Sequence, residues 1–180
     1  MPVIQVSDLA VLAANVGFWV VTFLVVGWIG ARPPARRLQH DGPLLRIRRV
    51  EDDGRLYQRW LRIHRWKDRL PEAGAAFGGA SKRNLPPGGR HHLEAFAAET
   101  RRAERVHWWS LIPLPLTVIW NPPAGVALMV LFGLAFNLPF IVIQRFNRAR
   151  IERILRRRGR DRGPYGVGGE TRDAADGSTS

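Results

Sequence analysis

The chain has 180 residues, with 28 Lys and Arg against 15 Asp and Glu, a net charge of +13 and no cysteine. The missing thiols exclude disulfides, thiolate nucleophiles and cysteine-held zinc or iron-sulfur centres. Every Lys and Arg lies in 32–107 or 144–180, and Asp8 is the one acidic residue in 1–31 and 108–143, a distribution that excludes an ordinary soluble core. Uncharged stretches of this length in so small a chain call for lipid as their solvent. The excess of basic residues then reads as orientation and contact with anionic headgroups. It does not read as a nucleic-acid surface, since no basic sheet with stacking aromatics is evident.

Residues 1–8 form a short amino terminus expected outside the cell. Residues 9–31 are apolar apart from Asn15 and Thr22, and as a helix they reach ~34 Å, enough to cross the hydrocarbon core. Arg32, Pro33, Pro34, Arg36 and Arg37 follow at once, so the positive-inside rule predicts an external amino terminus and a cytoplasmic carboxyl side. A cleaved signal peptide competes with this reading, but the basic n-region is missing and the apolar run is long for one.

Residues 32–107 are predicted to be a basic cytoplasmic segment with two amphipathic helices. The first carries Leu56, Tyr57, Trp60, Leu61 and His64 on one stripe, with Arg55, Arg59, Arg62 and Arg65 elsewhere, the pattern of an interfacial helix. Pro71 ends it, and 74–89 reads as a loop rich in glycine and proline. The second starts near His91 and runs toward Trp109, with Leu93, Phe96, Thr100, Ala103 and His107 on one face.

Residues 108–143 hold 36 residues without a charge, and one helix of ~54 Å would overshoot a ~30 Å core. The chain is therefore expected to fold back at 121–123, where Asn121, Pro122 and Pro123 favour a turn. The first limb, with Pro113 and Pro115, is expected to be kinked or partly inserted. The second, 124–143, spans. Residues 144–158 form a basic cytoplasmic helix and 159–180 a disordered tail. The fold class expected is an all-α membrane protein with about three transmembrane helices and amphipathic interfacial helices.

Glu104 and His107 are three apart on one helix, so a carboxylate can orient an imidazole that takes a proton from a hydroxyl, as acyl transfer to an alcohol requires. The same spacing equally serves an ion pair from Glu104 to Arg101 or Arg105, with His107 an interfacial anchor. Ser110 extends the series toward a nucleophilic triad but lacks the strained elbow, and a serine here also bonds a carbonyl one turn back. His64 and Asp68 make an H-x-x-x-D pattern that chance supplies readily. No metal site is expected, since one Glu-x-x-His is half of a di-iron motif and His91 with His92 is no ligand set. Gly78, Gly79 and Lys82 lack phosphate-loop spacing. Arg145, Arg148 and Arg150 directly after the last span hold either a phosphate or the membrane surface.

The stretch E-T-R-R-A-E-R-V-H-W-W-S-L-I-P at 99–113 resembles the glycosyl-4,4'-diaponeurosporenoate acyltransferase family of bacterial carotenoid synthesis. N-L-P-F-I-V-I-Q-R-F-N-R-A-R at 137–150 is similar to that family's last span and basic exit, and Trp66 with Lys67 to its upstream motif. The order and spacing agree over roughly 57–159.

The resemblance implies a membrane enzyme that esterifies a sugar hydroxyl of a glycosylated carotenoid acid or related glycolipid. His107 and Glu104 are the expected catalytic pair. Glu99, Arg101, Arg102, Trp108, Arg145, Asn147, Arg148, Arg150, Trp66 and Lys67 are the expected substrate contacts, with Gln144 in the same block. Arg101, Arg145 or Arg148 is expected to meet an anionic acyl donor, acyl-CoA or acyl carrier protein, and no cofactor is implied. The family pattern does not include His64 or Asp68. The rival readings are a non-catalytic membrane protein that binds anionic lipid or a partner enzyme, and a lipid hydrolase that uses water as acceptor.

Overall fold

The computed structural model describes residues 7–34, 38, 40–69 and 89–161, which form helices and no strand. The long helices are α1, Asp8–Ala31, α3, Arg90–Leu111, and α4, Pro123–Asp161, with a short α2 at Arg55–Arg59. Short 3-10 segments lie at Arg49–Gly54, Ile63–Arg65, Lys67–Arg69 and Leu114–Ile119. The loop expected at 74–89, including Gly78, Gly79 and Lys82, lies outside the described residues except for Gly89. So does the tail beyond 161; residues 159–161 belong to α4.

Two helices, α1 and α4, are long and apolar enough to cross a membrane. Ser7 caps α1, its Oγ accepting from the Ala10 N–H, and Asp8 stands at the positive end of the helix dipole. Leu9, Leu12, Val16, Val20, Val21 and Leu24 all face outward. At the far end Arg102 of α3 donates to the carbonyls of Gly30 and Ala31 at 3.0 and 2.7 Å, which satisfies two of the carbonyls a helix end leaves open. Gly30 permits this approach, because a Cβ there would collide with Val106.

The expected turn at 121–123 coincides with the start of α4, where Pro123 is spared an intrahelical donor bond. Asn121 and Trp120 donate to Asn15 Oδ1 of α1, both at 2.8 Å. Between α3 and this turn the chain runs as the 3-10 helix Leu114–Ile119, so the 108–120 limb has no separate α-helix. It packs through Leu114 against Trp19 and Met129. The apolar span and the basic exit form one helix, since α4 continues through Pro139 for 39 residues.

The first expected amphipathic helix is interrupted. After α2 the backbone turns left-handed at Arg62, with φ 45°, a cost for a residue with a Cβ that the packing of its neighbours offsets. Tyr57 and Ile63 pack in a cluster with Ile143 and Phe146, while Trp60 of the same stripe is left exposed. The α3 face is continuous: Leu93, Phe96 and Ala97 pack on Ile151 of α4. Each fully buried large side chain there contributes about 1.5–3 kcal/mol where the alternative is water.

Candidate active site

Between α3 and α4 lies a buried ionic core. Glu104 and Arg148 are both inaccessible to solvent, although neither is a residue that proteins bury unpaired. Glu104 Oε1 accepts from Arg145 Nη1 at 2.7 Å and from Trp108 Nε1 at 3.3 Å. Its Oε2 lies 2.6 Å from Arg148 Nη1, an ion pair without hydrogen-bond alignment.

Arg145 also grips Glu51, with Nη2 at 2.5 Å from Oε1 and Nε at 3.1 Å from Oε2, and donates to the carbonyls of Arg46 and Leu44. Arg148 donates to the Leu45 carbonyl. Arg101 donates to Asp41 at 2.5 Å and to Glu152 at 3.3 Å. Three arginines thus meet four carboxylates and clamp the 41–51 segment onto the helix pair.

Burial by itself raises the Glu51 carboxyl, but hydrogen bonds from Arg145, the Arg48 backbone and Tyr57 outweigh it and hold it below its usual range. Tyr57 moves up, through burial and the neighbouring Glu51 carboxylate to which it donates at 2.5 Å. Burial would lower Arg145, yet Glu51 and Glu104 reverse that and raise it. Glu152 is raised by burial and by Asp41.

The helix that carries Glu104 delivers His107 one turn further on. Its Nδ1 lies 3.0 Å from Asn137 Oδ1 of α4, and its ring stacks on Phe140 at 4.9 Å with planes 6° apart. Asn137 is fully buried, and its Nδ2 donates to the Gly133 carbonyl at 2.9 Å. Because the amide nitrogen is committed to that carbonyl, the oxygen is what faces the ring. Nδ1 is therefore the donor and Nε2 the basic nitrogen of the neutral imidazole.

The group that orients His107 at Nδ1 is Asn137, while both Glu104 oxygens are taken up with Arg145, Arg148 and Trp108. Arg101, Arg145 and Arg148 are ion-paired with the protein's own carboxylates.

The other expected site residues divide. Trp108 joins the core through Glu104, and Asn147 and Gln144 are buried on α4 beside it. Glu99 accepts from Arg102 at 3.2 Å, and Arg102 is the residue that closes α1. Arg150 stacks over Phe146 at 5.4 Å. Trp66 donates to the Leu61 carbonyl and packs against the cluster that holds Tyr57, Ile63, Ile143 and Phe146, with the half-buried Lys67 following it.

Ser110 is buried and donates to the Val106 carbonyl one turn back, which commits its hydroxyl. His64 meets Phe146 edge-on, and the side chain of Asp68 lies outside the described residues. Asp41, Glu51, Tyr57 and Asn137 were not among the expected site residues. Only Asn137 left a sequence signal, as a lone amide within an apolar span, where polar residues are functional by default.

A family model described as glycosyl-4,4'-diaponeurosporenoate acyltransferase matches residues 41–157. That range begins at Asp41 and takes in the whole ionic core, His107 and Asn137, and leaves α1 outside. Proteins named glycosyl-4,4'-diaponeurosporenoate acyltransferase from Staphylococcus aureus strains bovine RF122 / ET3-1, USA300 and NCTC 8325 / PS 47 are each 26% identical to this chain over 148 residues. The match spans 79% of this chain and 88% of theirs. No solved structure matches it.

Proposed function

The chain belongs to the glycosyl-4,4'-diaponeurosporenoate acyltransferase family, and from that premise we propose that it transfers a fatty acyl group to a sugar hydroxyl of a glycosylated carotenoid acid or related glycolipid. The observation that carries the reading is His107 met at Nδ1 by a buried amide, which makes Nε2 the basic nitrogen, on the helix that also carries Glu104 of the ionic core.

In the proposed reaction Nε2 removes the proton of the sugar hydroxyl as its oxygen attacks the carbonyl carbon of an acyl thioester. The new C–O ester bond forms and the C–S bond breaks. The departing thiolate takes the proton back from the imidazolium, so the histidine returns neutral and no cofactor is consumed. Glu104, Arg145 and Arg148 act as positioning residues, since they fix α3 against α4 and so the distance from His107 to Asn137. Trp108 joins them through Glu104.

The enzyme is read as multi-pass in the cell membrane, with the amino terminus outside and the carboxyl terminus in the cytoplasm. The third crossing consists of the carboxyl half of α3 and the 3-10 helix Leu114–Ile119. Its support is a pair of contacts along α1: Arg102 meets Gly30 and Ala31 at one end, and Trp120 and Asn121 meet Asn15 at the other. The helix from Asn15 to Ala31 covers ~24 Å, most of a ~30 Å hydrocarbon core.

His107 would then lie just inside the cytoplasmic boundary, where an amphiphile's sugar meets the headgroups. The donor, acyl-CoA or acyl carrier protein, would approach from the same side. An open cleft of ≈ 210 Å³ lined by Arg55, Arg153, Arg156, Arg157 and Asp53 is a basic surface suited to its phosphates.

The test compares lipid and pigment extracts by mass spectrometry from cells with the gene deleted, restored, and restored as His107→Ala. The reading requires an acylated glycolipid or glycosylated carotenoid that is lost on deletion and returned by the unaltered copy alone. If no acylated species changes in any strain, the reading is wrong.

A further inference from the structure

The histidine does not stand alone on its face of the bundle. Phe132, Phe136 and Phe140 recur every fourth residue of α4, so their rings form one file about 12 Å long by the helical rise. Centroids are 5.9 Å apart at both steps, and the His107 ring continues the file on Phe140 at 4.9 Å.

Two aromatics of α1 flank it: Trp19 lies 5.2 Å from Phe132 and Phe23 lies 4.9 Å from Phe136. Phe132 and Phe136 nevertheless remain 46% and 41% exposed. The outward residues on the rest of α4, Leu128, Leu131, Leu134 and Leu138, are aliphatic. On α4 the exposed aromatic surface is thus confined to one stripe that runs from Phe132 toward the base.

We propose that this stripe is the acceptor track, a site for a rigid, flat, conjugated hydrocarbon chain whose sugar end then lies at His107. The inference rests on the acyltransfer reading above and deepens it by naming what selects the acceptor. A saturated tail gains no more from a ring face than from a leucine, because both are dispersion contacts of similar size. A conjugated chain presents its own π face to the rings, and it is already extended, so it loses little conformational freedom on docking. The stripe, the half-exposed rings and the stacked histidine together favour such a chain over the acyl tails of bulk lipid. The length agrees as well: about 12 Å from Phe140 to Phe132 lies within one leaflet of a ~30 Å core.

The experiment uses the full chain in phosphatidylcholine nanodiscs with two probes, all-trans-retinoyl β-glucose and palmitoyl β-glucose. Equilibrium binding is read by tryptophan fluorescence quenching for the first and by competition against it for the second. The expected result is that Phe132→Leu with Phe136→Leu weakens retinoyl glucose at least about fivefold and changes palmitoyl glucose less than about twofold, with helicity by circular dichroism unchanged. Equal weakening of both probes, no weakening of either, or equal affinity of the unaltered chain for both overturns the track. Acyl transfer to each probe is measured in parallel. Selective binding without transfer would sink the reaction and keep the track, whereas transfer without selectivity would do the reverse.

Discussion

Asn137 reaches across the α3–α4 interface to hold His107, its Oδ1 3.0 Å from Nδ1, while its own Nδ2 is tied to the Gly133 carbonyl at 2.9 Å. A buried amide whose orientation is fixed on one side dictates the tautomer on the other. Asn137→Leu keeps the volume and removes that control. We expect kcat to fall about 10–100-fold with KM within about twofold, the signature of a misaimed base. Steady-state kinetics of the variant check this, and an equal fall in folded protein would assign Asn137 a structural role only.

Glu104 bridges Arg145 and Arg148 with no solvent to replace it. Glu104→Gln removes the carboxylate that the fully buried Arg148 shares with the partly buried Arg145, and should cost about 3–5 kcal/mol of stability. Thermal unfolding in detergent is the measurement. Removing both buried charges, with Glu104→Leu and Arg148→Met together, should recover part of the loss, since the penalty comes from the orphaned partner.

The Glu51 carboxyl is held below its usual value, so its ionised form favours the folded chain. The stability it contributes is fully present above the ordinary carboxylate value of about 4.3 and is lost as pH falls through the lower folded value. The melting temperature should therefore drop on acidification below about pH 4.3, with a smaller drop in Glu51→Gln. An unchanged acid profile in that variant would argue that the Glu51–Arg145 clamp carries no charge linkage.

Orientation is testable because the chain contains no cysteine, which makes any introduced thiol a unique label. Ser7→Cys should react with an impermeant maleimide on intact cells, and Gly42→Cys only after permeabilisation. The reverse pattern would overturn the inward placement of the basic segment.

Much of the scaffold was legible in the sequence because it is written in composition. A charge-free run before Arg32 and Pro33 can only be a long apolar helix, and Asn121-Pro122-Pro123 removes the donors a helix needs. The interrupted stripe at 55–65 was not legible, since the left-handed turn at Arg62 follows from Tyr57 and Ile63 docking on Phe146, more than 80 residues away. The same holds for the site. Glu104 and His107 looked like partners because spacing reports only neighbours on one helix, whereas Arg145 stands 41 residues from Glu104 and Asn137 stands 30 from His107. Pairings over such sequence separations leave no periodic signal on a single helix.

The most direct test of His107 as the base is acyl transfer by the purified chain in nanodiscs, from a fatty acyl-CoA to a glycosylated polyene, compared between the unaltered protein and His107→Ala. If His107 is the base, kcat falls about 10²–10⁴-fold while the acceptor still binds. Transfer at the unaltered rate by a folded His107→Ala would contradict the assignment.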